Sequence, residues 1–125
     1  MVPVHFFKNL VVILGLLAVT PQAAAQDQYY MNKAKSYMNE AEYYTKKAEG
    51  YDREADYYDK KAQGYMREAE YYSRRQNYDK SKMYTRWAVE AMDKARMQMR
   101  WANEAREKAQ MNMRWASEAM EKAKR

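Results

Sequence analysis

A ladder of two residue types governs what this chain can fold into. Tyr30, Tyr37, Tyr44, Tyr51, Tyr58, Tyr65 and Tyr72 alternate with Ala34, Ala41, Ala48, Ala55, Ala62 and Ala69, in steps of four and three without exception. Alternating steps of four and three mark a heptad seam, here with Ala at the a positions and Tyr at d. A strand would need a period of two, so the ladder selects helix. Exposed flanks agree. Glu42 and Lys46, Glu49 and Arg53, Asp56 and Lys60, and Glu70 and Arg74 each set an acid four residues before a base, the favourable order, worth about 0.2–0.5 kcal/mol per pair. No Pro follows Pro21, and Gly occurs beyond it only at Gly50 and Gly64. Nothing inside the ladder forces a stop.

The pattern also has a longer period. Tyr29-Tyr30, Tyr43-Tyr44, Tyr57-Tyr58 and Tyr71-Tyr72 open successive 14-residue units, and c positions alternate a ring with a notch: Tyr43, Gly50, Tyr57, Gly64, Tyr71. The g positions Lys33, Glu40, Lys47, Glu54, Lys61, Glu68 and Arg75 alternate in sign. A seven-residue slip against a similar partner sets like charges together, so register moves in steps of about 21 Å.

At Gln76–Ser81 the seam loses phase: Gln76 stands where Ala is due and Asp79 where Tyr is due. Asn77, Asp79 and Ser81 are candidate N-caps. We therefore read a first helix over 26–75, a turn or register break over 76–81 and a second helix over 82–125. The expected class is all-α, two long amphipathic helices in an antiparallel hairpin or coiled coil, with one long bent helix that oligomerises as the alternative.

The second half repeats Arg86-Trp87-Ala88, Arg100-Trp101-Ala102 and Arg114-Trp115-Ala116. Ala88, Ala95, Ala102, Ala109, Ala116 and Ala123 make a floor, with Trp87, Trp101 and Trp115 as one wall and Met92, Met99, Met113 and Met120 as the other. Glu90 and Lys94, Glu104 and Lys108, and Glu118 and Lys122 are expected to pair along the helix. Folding the chain about residue 78 brings Tyr65, Tyr58, Tyr51, Tyr44 and Tyr37 opposite Ala91, Gln98, Ala105, Asn112 and Ala119, large against small. These Tyr, Ala and Trp positions form the expected interaction seam, and Tyr58 is expected near Gln98.

Composition narrows function more by exclusion. Beyond residue 25 there is no Leu, Ile, Phe or Cys and a single Val89, so a globular interior cannot be filled. A thin seam can. The missing aliphatics lie before that point: Lys8, an apolar run from Leu10 to Val19, then Ala23-Ala24-Ala25 read as a secretory signal peptide, residues 1–25, cleaved after Ala25. The mature chain is then expected to be secreted or periplasmic. Cleavage also removes His5, the only His. Without His or Cys the usual nucleophile–base pairs and zinc sites are absent, so no enzyme and no cofactor is expected.

Met97-Gln98-Met99 and Met111-Asn112-Met113 raise the alternative of a thioether Cu(I) site. Residues two apart on a helix diverge, however, and Met83, Met97 and Met111 each lie four residues before a Trp, the spacing of sulfur–aromatic packing. The chain carries 23 Lys+Arg against 17 Asp+Glu. Residues 76–125 hold twelve of those bases and seven acids, so a membrane or envelope surface is a second alternative partner. So modest an excess of positive charge gives no case for nucleic acid. The favoured expectation is a non-enzymatic exported coiled coil acting through self-association, as a homo-oligomer, or through a helical protein partner.

Overall fold

The structure is a computed structural model that describes residues 21–124, with side chains from residue 23. Two helices account for nearly all of it: α1 (Pro21–Arg74) and α2 (Tyr78–Lys124). They pack against each other as an antiparallel hairpin, which removes the single bent helix. The helices exceed their expected bounds. Helix α1 already includes residues 21–25, and α2 starts four residues early, at Tyr78. The rest of the predicted signal peptide lies outside the described residues.

The turn is tight because the chain closes it with its own backbone. Asn77 N–H donates to the Tyr72 carbonyl at 2.9 Å and Gln76 N–H to the Ser73 carbonyl at 3.0 Å. This is the Schellman pairing, which requires a left-handed residue at its centre. Gln76 takes that conformation, with φ 63°, where Gly would be the usual choice. Asn77 then caps α2, its Oδ1 accepting from Lys80 N–H at 3.3 Å. Ser81 Oγ donates to the Ala69 carbonyl of α1 at 2.9 Å, tying the first turn of α2 to its neighbour. Tyr84 stacks on Tyr72 with centroids 5.6 Å apart and lies 5.3 Å from Trp87. Polar bonds and stacked rings thus do what Gly and Pro do in most hairpins.

The contacts group into two units, residues 39–112 and the outer arms, 21–38 with 113–124. In the first, Ala41, Ala48, Ala55, Ala62 and Ala69 of α1 are buried, as are Ala88, Ala91, Ala95, Ala102, Ala105 and Ala109 of α2; Ala88 and Ala102 are 0% exposed. In the outer arms Ala34, Ala116, Ala119 and Ala123 are buried. No large side chain is fully buried among the described residues. The core is therefore alanine floor against alanine floor, and the Tyr rings lie half-buried over its edge. With methyl groups alone at the centre, the backbones can approach closely, and most of the apolar area is contributed by rings at the flank.

Candidate functional site

The seam tyrosines all lean to one side. In residues 39–112, Tyr65 meets Trp87 and Tyr51 meets Trp101, both with centroids 5.7 Å apart. In the outer arms Tyr37 meets Trp115 at 5.5 Å. The alternate rungs lie under lysines of α2: Lys94 Nζ is 5.6 Å from the Tyr58 ring and Lys108 Nζ 5.4 Å from that of Tyr44. Lys122 Nζ covers Tyr30 at 5.7 Å in the outer arms. Each of these pairs is centred on residue 76, the left-handed residue of the turn, rather than on residue 78.

Several expectations are corrected here. Lys94, Lys108 and Lys122 make no ion pair with Glu90, Glu104 and Glu118 among the described residues. Their ammonium groups sit over rings of α1 instead. An exposed ion pair is worth a few tenths of a kcal/mol and a cation over a ring about 0.5–1 kcal/mol, so the ring wins. Of the α1 pairs, Glu42–Lys46, Asp56–Lys60 and Glu70–Arg74 form, at 3.4, 2.9 and 2.7 Å. Tyr58 comes under Lys94, one turn before Gln98, and no hydrogen bond joins it to Gln98 among the described residues. Gln98 Oε1 is buried without a partner, and Asn112 donates to the Lys108 carbonyl of its own helix at 2.9 Å.

Met97, four residues before Trp101, is 40% exposed, close to the 39% of that indole. The Met wall is uneven: Met99 and Met113 are 54% and 44% exposed, whereas Met92 is half-buried. On this other flank Asp52 pairs across the hairpin with Arg106 at 2.7 Å.

A second set of rings, part of the 14-residue repeat, has a role that only the geometry shows. Tyr43, Tyr57 and Tyr71 stand beside the seam with roughly half their surface exposed. Each sets its edge against the neighbouring seam ring, with centroids 5.1–5.2 Å apart. A base four residues on covers each of them: Lys47, Lys61 and Arg75. The Tyr43 hydroxyl accepts a 3.4 Å hydrogen bond from Lys47 Nζ. That bond, followed by electrostatic attraction to Tyr43 and Tyr51, holds the Lys47 ammonium above the ordinary lysine range. Lys61 is raised in the same way, first by Tyr57.

Between ring and ring the walls leave open cups. One of about 280 Å³ is lined by Tyr58, Lys61, Tyr65, Trp87, Glu90, Ala91 and Lys94. A smaller one, about 70 Å³, is lined by the equivalent residues Tyr44, Lys47, Tyr51, Trp101, Glu104, Ala105 and Lys108. The outer arms hold one of about 80 Å³ with the same residue types, Trp115 among them. Thus the sequence-predicted Trp and Tyr positions meet in the cups, whereas Ala88, Ala95, Ala102 and Ala109 lie buried in the seam. Lys61, Lys94 and Glu90 were not among the expected site residues. The alternation of Trp and Lys every seven residues along α2 was the signal for Lys94, and the basic g positions of α1 that for Lys61.

Among the described residues there is no group of three or more His, Cys, Asp or Glu placed to hold a metal ion, and no helix long and apolar enough to cross a membrane. No protein-family model matches the chain, and no curated protein or solved structure matches it either.

Proposed function

We propose that this chain is an exported, non-enzymatic helical-hairpin protein that works by associating with a second copy of itself through the outer face of α1. One observation carries the reading. Gly50 and Gly64 sit mid-helix, between Tyr43, Tyr57 and Tyr71, and the hairpin itself has no use for them. A Cβ added at Gly50 would meet only the tip of Arg53, at 3.9 Å, and one at Gly64 only the tip of Arg67, at 4.0 Å. Neither has positive φ. Each costs about 1 kcal/mol relative to Ala in a helix interior, so the stability is given up for something outside the single chain.

A second α1 supplies it. Running antiparallel about the midpoint of residues 53 and 54, it sets Tyr43 against Gly64 and Tyr57 against Gly50, ring into notch at every contact. The rings are already held by their neighbours, so little side-chain entropy is lost on docking. Lys46 and Lys60, which flank the face, are neutralised by Glu42 and Asp56. The same two-fold sets Arg53 opposite Glu54 and Arg67 opposite Glu40 of the other copy, so opposite charges face each other across the seam.

Sedimentation equilibrium of the chain lacking residues 1–25 tests this. A dimer whose population grows with protein concentration is expected. Gly50→Leu with Gly64→Leu, which fills both notches with a good helix former, should return it to monomer. A wild-type protein that stays monomeric at every concentration and salt would overturn the proposal.

A further inference from the structure

We infer that the cup between Trp87 and Tyr58 is a binding site for an acidic sugar unit of a polysaccharide. Three features select that chemistry. Lys61 and Lys94 each rest on a ring, 5.5 Å from Tyr57 and 5.6 Å from Tyr58, and neither makes an ion pair among the described residues. A ring face occupies one side of an ammonium and leaves N–H donors pointing away from it. Two such groups on one cup favour a carboxylate-bearing ligand.

The walls are aromatic. Tyr65 and Trp87 tilt 59° to one another, and Trp87, which also meets Tyr84, keeps 37% of its surface exposed, apolar area for the C–H side of a pyranose. About 280 Å³ suits one ring rather than a large ligand. Glu90 decides between anions. Its carboxylate lines the same cup and accepts hydrogen bonds only, so the ligand must bring hydroxyl donors beside its own anion, which a sugar acid does and a bare sulfate does not. A phosphodiester backbone, by contrast, presents acceptors alone.

The Trp101 cup, at about 70 Å³ too small to enclose a ring, places the same charged and aromatic groups one 14-residue repeat away, about 21 Å along the helix, as a surface contact for the next stretch of polymer. A polymer several sugars long reaches both, and a second contact on the same chain multiplies affinity without any new chemistry. The outer arms hold the set a third time, around Trp115. Each cup is complete within one copy, so a monomeric protein leaves this inference standing.

The chain has three tryptophans, and all line cups, so intrinsic fluorescence reports occupancy. Polygalacturonate titrated into the wild-type protein should change Trp emission, bind more weakly as salt rises, and bind far more tightly than free galacturonic acid. Lys61→Gln with Lys94→Gln, and Lys47→Gln with Lys108→Gln in the second cup, should together weaken binding about tenfold or more. Replacing the same four lysines by Arg, which keeps charge and ring contact, should retain binding and guards against a folding artefact. Lys46→Gln with Lys60→Gln, removing charge outside the cups, should change affinity by less than about twofold, as expected of exposed paired charges. Absence of binding, equal binding of neutral dextran, or an equal loss in the Lys46/Lys60 variant would overturn the inference. So would binding of phosphatidylglycerol vesicles in place of the polymer.

Discussion

Replacing Gly50 and Gly64 by Ala separates what the hairpin needs from what its association needs. Both glycines lie in the middle of α1 with ordinary helical φ. A methyl group at either meets nothing nearer than a flexible Arg tip at 3.9 or 4.0 Å, ordinary van der Waals contact. No clash offsets the gain in helix propensity, so each substitution should stabilise the monomer by about 1 kcal/mol and the pair by about 2 kcal/mol. For a domain of this size that is a rise of roughly 8–16 °C in Tm. Urea unfolding followed by circular dichroism at concentrations where the chain is monomeric reads it directly. The midpoint should rise while the slope with denaturant stays constant. If the double variant is no more stable than wild type, the glycines serve the single chain in some way. The case for a ring-receiving notch then fails.

Three further outcomes follow from the geometry. Ala102→Leu places a larger side chain where the residue is 0% exposed, and overpacking should cost about 1–3 kcal/mol; Gln110→Leu, at an exposed position of the same helix, should be near neutral in the same urea series. Gln76→Gly relieves a left-handed non-glycine residue and should stabilise the hairpin by about 1 kcal/mol, seen as a higher thermal midpoint with an unchanged helical spectrum. The third concerns pH. Lys47 and Lys61 are raised above the ordinary lysine value in the folded state, first by the neighbouring phenols of Tyr43 and Tyr57. Their contribution is therefore complete below the unfolded lysine pKa of about 10.4 and is lost as pH rises through the folded value. Thermal midpoints should be level from about pH 6 to 9 and fall above about 10, with a shallower fall in a Lys47→Gln, Lys61→Gln variant.

Much of the architecture was legible because the heptad ladder is both local and periodic. Tyr at d and Ala at a fix helix and buried stripe together, and the phase break at Gln76 marks the hairpin's turn. The turn itself was harder to place. A left-handed Gln leaves no compositional signal, and Tyr78–Ser81, which look like loop residues, are held in helix by the Asn77 cap and the Ser81 bond to Ala69. Moving the centre from residue 78 to 76 then exchanges an amide for a lysine as the neighbour of Tyr58.

The site was less legible than the fold. Four-residue spacing between Glu90 and Lys94 predicts an ion pair, and only the facing helix reveals that a Tyr ring competes for the ammonium. Likewise the two walls of the alanine floor are equivalent in sequence, since Trp and Met are both large and apolar. The structure distinguishes them because Tyr51 and Tyr65 turn toward Trp101 and Trp87, while Met99 and Met113 stay exposed. Cups are a property of two helices at once, and neither helix records them alone.

Seating of the α1 rings against α2 underlies both the outer face and the cups, and a nuclear Overhauser experiment on the Tyr51 and Trp101 rings tests it most directly. With centroids 5.7 Å apart, their protons should give strong cross-peaks. Those peaks should persist at dilution and be absent between differently labelled copies in a mixed sample. Missing cross-peaks, or cross-peaks arising only between copies, would contradict the hairpin on which the proposed association face and the sugar site are built.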